Sequence, residues 1–350
     1  MSCTDRTVPN FGSGSLSFKN FSKPQKQDFV EQAARHSYYH HSQPNKPDGF
    51  TFYDKAVVRP ERENAKAVIA GEAKGDKAEA QRILDMHGVY KDSRGRTQSG
   101  DKPPLISGRA VENYCTDVAV NDLSPTDAFK NAINELQGFH GASWRDADKD
   151  KRELEHKTTV RYAADGSVPK KDIIPTHHEF ELVCSNALDG LREAFAGANR
   201  ITGQKELTGK FDDVQLPYKG YGDFQEGGVE LKTKWDRGAG TDKPSAGSLP
   251  KEIPFNNLMQ IAGYWHITDI WPQIVYANRL GYRVFKPTLD QLHAGVAAIR
   301  EACVRRERLL AAADTTEELL QLCDPQWDHM FVWRDLPPEI LDRAQKIWRS

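Results

Sequence analysis

The chain lacks any long apolar run. No window of about 18 residues is hydrophobic enough for a membrane span, so none is expected. The opening residues, MSCTDRTVPNFGSGSLSF, show no basic stretch followed by an apolar core, so they do not read as a secretory signal, and a cytoplasmic protein is expected. An excess of charge of one sign is missing too. Lys and Arg number 48 against 50 Asp and Glu, a formal net charge of −2, so bulk charge does not point to a polyanionic partner. Cysteine is scarce: Cys3, Cys115, Cys184, Cys303 and Cys323, with no C-x-x-C pair. An odd count without a secretory signal argues for reduced thiols. There is no internal repeat and no helicase motif. Gly12-Ser-Gly14 has neither the lysine nor the preceding strand of a phosphate loop.

What is present suffices for a large core, since 350 residues with 38% hydrophobic and 28% charged composition can bury one. Residues 1–25 show no periodicity, a short helix is expected near 26–36, and Phe50–Val58 reads as a strand. Residues 60–88 read as helical with a break near 71–75, and 91–104 as a polar loop. Val111, Cys115 and Val118 form a helical apolar stripe, with Gly108 and Glu112 on a second stripe. A helix is expected over 125–138, and loops over 141–174. Phe180, Val183, Cys184, Ala187, Leu188, Leu191 and Phe195 keep one face of a helix over 177–196 apolar. Cys115 and Cys184 are expected as buried core thiols. A helix over 254–268, strands over 272–277 and 281–285, a long helix over 288–313 and further helices to 348 close the chain. His177-His178-x-x-Glu181 opens a helix without a third ligand and reads as structural.

The chemistry concentrates in ELTGKFDDV…GGVELKTKW, residues 206–235. Two strand-like runs flank a Gly-rich turn placed at Tyr221–Gly228, which predicts a hairpin. Successive strand side chains alternate, so Glu230 and Lys232 share a face and Leu231 takes the other. In the first run Asp213 falls with Leu207 and Phe211, and Asp212 on the opposite face, which favours Asp212 as the partner of Glu230. Asp223, seven residues before Glu230, is the competitor, because the spacing from Asp212 is 18 residues. Two carboxylates can hold Mg²⁺ or Mn²⁺ with positions open for water and phosphate oxygens. A lysine beside them can orient or deprotonate the attacking water. A surface ladder of ion pairs, each worth under about 1 kcal/mol, would show the same residues.

Four motifs in order separate these readings. Gly108-Arg-Ala-Val-Glu112, Gly209-Lys-Phe-Asp212, Glu230-Leu-Lys232-Thr233 and Gln260-Ile-Ala-Gly-Tyr264 resemble those of the PD-(D/E)xK nuclease superfamily, with the nearest similarity to its RecB-like and phage exonuclease branch. The resemblance implies an α/β fold in which a small mixed β-sheet is flanked by helices, a restriction-endonuclease-like core. On this reading residues 1–104 are an N-terminal extension, 105–290 the nuclease core, and 291–350 a C-terminal helical extension packed on it. It also implies metal ligation by Asp212, Glu230, Glu112 and the Leu231 carbonyl, with Mg²⁺ or Mn²⁺ as cofactor. Lys232 would activate water and Gln260 would hold the lysine. Tyr264, Thr233, Lys234 and Arg109 would approach DNA. The implied activity is DNA hydrolysis from ends, in phage recombination or genome degradation, with a homo-oligomer and a recombination partner protein both compatible. A structure-specific endonuclease and a catalytically silent DNA-binding protein remain open. The iron–sulfur cluster of some relatives is not expected, because only Cys303 and Cys323 follow the Gln-x-x-x-Tyr motif, 20 residues apart.

Overall fold

The computed structural model describes residues 39–40, 47–87, 90–91, 97–98, 103–140, 158–162, 169–173, 175, 177–198, 201–214, 216–225, 228–236, 245–313, 315–329, 332–333, 336 and 338–349. The helix expected near 26–36 and the loose segment 1–25 lie outside them, as does Cys3.

Phe50–Val58 is helical, contrary to the strand expected. Helix α1 (Asp48–Tyr53) runs through one π-helical turn (Asp54–Val58) into α2 (Arg59–Ala70). Phe50, Phe52 and Tyr53 are all buried. A short run with apolar residues on every side carries no period that separates helix from strand. Gly71, with φ of 80°, ends α2 in the left-handed conformation, and Asp76 caps α3 (Lys77–Met86) by accepting from the amides of Ala78 and Glu79. The expected break is therefore real.

Helices α4 (Pro103–Ala119), α5 (Pro125–His140) and α6 (His177–Ala194) follow. The stripe from Phe180 to Leu191 on α6 is buried as expected, against β9 (Gln273–Asn278) and β10 (Gly281–Phe285). Residues 141–174 are not all loop. β4 (Thr158–Tyr162) and β5 (Pro169–Ile173) pair as an antiparallel ribbon, in keeping with the β-branched and aromatic residues of TTVRY, and the shorter β2 (Tyr90–Lys91) and β3 (Thr97–Gln98) do the same where a polar loop was expected over 91–104.

Strands β6 (Lys205–Gly209), β7 (Tyr218–Gly222) and β8 (Val229–Thr233) replace the expected hairpin. β7 intervenes between the two expected strands and runs into the segment Tyr221–Gly228 expected as the turn. It pairs antiparallel with β6 on one side and parallel with β1 (Tyr39–His40) on the other. β8 pairs parallel with β9 through the crossover helix α7 (Phe255–Thr268), and β9 turns back into β10. The two three-stranded sheets meet at an antiparallel bridge between Phe224 and Val229. The fold is mixed α/β, with small sheets flanked by helices. Helix α8 (Leu289–Ala312) packs along α7, and α9 (Thr316–Gln321) and α10 (Pro338–Arg349) complete the chain. Phe50, Phe52 and Tyr53 share one core cluster with Trp333 and Ile340, so the two ends of the described chain pack together.

One close approach fixes the sheet against α7. A Cβ on Gly220 would collide with the Tyr264 ring, and Gly220 is buried. Gly220→Ala should cost about 1–3 kcal/mol through overpacking, read as a lowered denaturant midpoint at unchanged slope. A midpoint equal to wild type would mean that Tyr264 is free to move aside.

Candidate functional site

The alternation read from sequence holds in β8. Glu230 is 1% exposed, and the Lys232 side chain, 30% exposed, sits on the same face with Nζ 2.5 Å from Glu230 Oε1. The Gln260 amide donates to the same oxygen, and also to the Tyr264 hydroxyl at 2.9 Å. Tyr264 in turn donates to the Tyr221 carbonyl at 2.6 Å. One turn of α7 thus links β8 to β7. Glu230 Oε2 is buried and has no hydrogen-bond partner among the described residues.

Asp223, not Asp212, is the second carboxylate of this cluster. Asp223 follows β7 directly, is 8% exposed, and its Oδ2 accepts the Leu231 amide at 2.9 Å. The antiparallel pairing of Phe224 with Val229 brings the turn back on β8, and the Asp223 side chain then takes the place of a ladder partner. In an extended strand a residue's N–H and C=O face the same side. The Leu231 carbonyl therefore shares the direction of Asp223.

Asp212 lies outside the cluster. β6 stops at Gly209, and Asp212 sits exposed in the turn that follows, so strand alternation does not govern it. Its neighbour Asp213 pairs with Arg300 through bonds of 2.9 and 2.5 Å. Gly209 serves packing instead, since a Cβ there would stand 2.7 Å from Ile267 Cγ1 of α7.

Glu112 joins from α4, which approaches β8 closely enough that a Cβ on Gly108 would stand 3.1 Å from Thr233 Oγ1. Gln204, which sequence reasoning missed, donates to Glu112 Oε1 at 3.2 Å. Burial and the charge of Glu230 push the Glu112 carboxyl up to about 7, against the opposing pull of Lys232 and Arg109. Burial, then the charges of Glu230 and Glu112, push Asp223 well above the usual carboxylate range. Burial alone would lower Lys232, but Glu230 and Asp223 outweigh it and hold it an ammonium. In this arrangement Lys232 is a charge and a donor, not a proton acceptor.

The remaining predicted residues divide. Arg109 lies near enough to Glu112 to act on its charge, Thr233 faces α4, and Lys234 stands 5.8 Å over the Tyr276 ring. Tyr264 is fully buried with its hydroxyl engaged inside, so the expected contact with a DNA backbone is not made from this position. Its space lies between the sheet and α7, and there it supports Gln260. Cys115, Cys184, Cys303 and Cys323 are buried free thiols.

The donor set fits a hard divalent cation. The charge of Glu230 adds to burial in raising the proton affinity of Glu112 and Asp223, a carbonyl faces the same side, and a buried Glu230 oxygen has no partner among the described residues. Among the described residues no group of three His, Cys, Asp or Glu is placed to hold a metal ion as it stands, so the carboxylates would have to draw together around one, with water and substrate oxygens completing the coordination. No protein-family model matches the chain, and comparison with curated proteins and with solved structures gives no significant match.

The raised carboxylates set a pH dependence. A carboxyl whose folded pKa exceeds its unfolded value contributes stability below the unfolded pKa and loses it as pH rises through the folded one. For Glu112 that window runs from 4.5 to about 7. The thermal midpoint of metal-free protein should therefore fall between about pH 5 and pH 8, and Mg²⁺ should restore more of it at the alkaline end. Midpoints that rise across this range, or that ignore Mg²⁺, would contradict the cluster's charge balance.

Proposed function

We propose that the chain is a Mg²⁺- or Mn²⁺-dependent deoxyribonuclease that hydrolyses phosphodiester bonds from DNA ends. The observation that carries this reading is the convergence of Asp223, Glu230, Lys232 and Glu112, drawn from three segments of the chain, on one cluster whose Asp223 and Glu230 are buried and whose Glu112 and Lys232 are half-buried. A solvent-facing ion-pair ladder does not account for it, because Glu230 and Asp223 are buried and Glu230 keeps an oxygen unpartnered. The motifs whose order resembles the RecB-like and phage exonuclease branch fall on α4, β8 and α7, the elements that build the cluster. The second motif is displaced to Asp223.

Asp223, Glu230, Glu112 and the Leu231 carbonyl would hold the ion, which supplies Lewis acidity toward phosphate and lowers the pKa of water. Gln260, fixed by Tyr264, holds the Glu230 carboxylate in place. Lys232 donates to the phosphate oxygens and orients the attacking water, offsetting the negative charge that builds on the phosphate. Water adds to phosphorus, the bond to the 3′ oxygen breaks, and the products are a 5′-phosphate and a 3′-hydroxyl. Arg109 and Lys234 are the cations proposed to flank the substrate phosphates. A part in phage recombination or genome degradation, with a recombination partner protein, is compatible with this chemistry.

The test compares end-labelled linear DNA with a covalently closed circle, with and without Mg²⁺. Degradation of the linear substrate alone is expected. Cutting of the circle would make the protein an endonuclease. Failure to cut either in Mg²⁺ or Mn²⁺ would remove the hydrolytic reading and leave a DNA-binding scaffold.

A further inference from the structure

β7 has two unlike faces. Tyr218, Gly220 and Gly222 are buried, with Tyr218 and Gly220 packed against α7. Strand alternation puts Lys219 and Tyr221 on the other face, and the chain reaches Asp223 one residue past the strand's end, where the Leu231 amide fixes its side chain. Tyr221 is 38% exposed, and the Lys219 side chain 23%. The row Lys219, Tyr221, Asp223 spans about 14 Å at strand rise and ends on a carboxylate of the cluster.

The exposed residues are held in order. The Tyr221 hydroxyl donates to Glu206 Oε2 at 2.8 Å, and Lys219 Nζ approaches Glu206 Oε1 at 3.2 Å. Glu206 lies directly across from Tyr221 in the ladder. The Tyr221 backbone is tied from behind, because its carbonyl accepts the Tyr264 hydroxyl that also meets Gln260. Ring and cluster are therefore joined through one short, buried hydrogen-bond chain to Glu230. Across the row the loop before β6 packs on α4, where a Cβ on Gly203 would stand 3.4 Å from Thr116 Cγ2. Gln204 of that loop reaches Glu112. The row thus runs beside the α4 side of the cluster.

An aromatic ring on a fixed strand, one step from a phosphodiester-cleaving cluster, suits a nucleic-acid base. Bases of any sequence stack on such a ring, and a neighbouring lysine can take a backbone phosphate. The Lys219–Glu206 pair is exposed and hence weak, so exchanging the carboxylate for a phosphate costs little. We propose that the outer face of β7 is a single-strand platform, on which Tyr221 stacks a base and Lys219 binds a phosphate of the strand entering the site. The inference rests on the nuclease reading and adds to it a preference for a separated strand at the site.

The experiment measures fluorescence anisotropy of a labelled single-stranded oligonucleotide of about 12 nucleotides, with Ca²⁺ in place of Mg²⁺ to slow cleavage. Tyr221→Ala should weaken binding about tenfold, and Tyr221→Phe should stay within about twofold of wild type. Lys219→Met should make the slope of log K against log salt shallower by about 0.7, the loss of one phosphate contact on a single strand. The same variants should change binding of a blunt duplex less. Melting curves that match wild type certify the fold of each variant, and if Tyr221→Ala does not fold, the Lys219→Met slope decides. Wild-type affinity in Tyr221→Ala, or an unchanged slope in Lys219→Met, overturns the platform while leaving the nuclease reading in place. A wild-type protein that cleaves DNA in Mg²⁺ separates that result from failure of the nuclease reading itself.

Discussion

Lys232→Ala should lower the turnover of DNA cleavage by about 10²-fold or more while leaving DNA affinity near wild type. The lysine is the single cation in hydrogen-bond contact with Glu230 among the described residues, and it is held protonated by Glu230 and Asp223. Its loss removes a donor aimed at the charge that develops on phosphate, and the loss of one such donor commonly costs about 10²–10³ in rate. It also leaves three carboxylates unbalanced. The variant should therefore bind Mg²⁺ more tightly and melt lower in its absence. Turnover above about a tenth of wild type, measured at saturating metal, would take Lys232 out of the mechanism.

Asp223→Asn and Asp212→Asn should separate sharply. The first removes charge from a buried position beside Glu230 and Glu112, and should reduce cleavage by about 10²-fold or more. The second changes an exposed turn residue and should leave cleavage within about twofold, as surface substitutions generally do. Steady-state cleavage assays of both variants across a range of Mg²⁺ concentrations give the comparison. Activity in Asp223→Asn with loss in Asp212→Asn would mean that the turn after β6 rearranges to reach β8.

The difference between these two aspartates marks where the sequence is legible. Glu230 and Lys232 were placed on one face by alternation alone, and Gln260 and Tyr264 on one side of a helix by a spacing of four. Each pattern depends only on its own element, and each holds. The apolar stripe of α6 was equally clear, as were β9 and β10. Asp212 was misassigned because alternation was carried past the point where the strand ends. Nothing local to GKFDD announces that the chain turns after Gly209, where Asp213 is held by Arg300 from a distant helix. β7 was hidden for a related reason. Its buried face is Tyr218, Gly220 and Gly222, and glycine carries no hydrophobic signal. What makes Gly220 a strand residue is the Tyr264 ring packed over it. With Tyr221–Gly228 read as the turn, Asp223 has no strand to position it, only a spacing of seven residues to Glu230. Tight pairing of Phe224 with Val229 is what makes that distance work. Phe50–Val58 failed differently, since burial on all sides erased its period.

The most direct measurement is cleavage of uniformly labelled linear DNA by the wild-type protein in Mg²⁺ and in EDTA, with the termini of the products identified. The account predicts release of nucleotides in Mg²⁺ only, each carrying a 5′-phosphate and a 3′-hydroxyl, and release by Lys232→Ala slower by about 10²-fold or more under the same conditions. Release that persists in EDTA, or products ending in a 3′-phosphate, would contradict a carboxylate-held metal acting at the Asp223, Glu230 and Lys232 cluster.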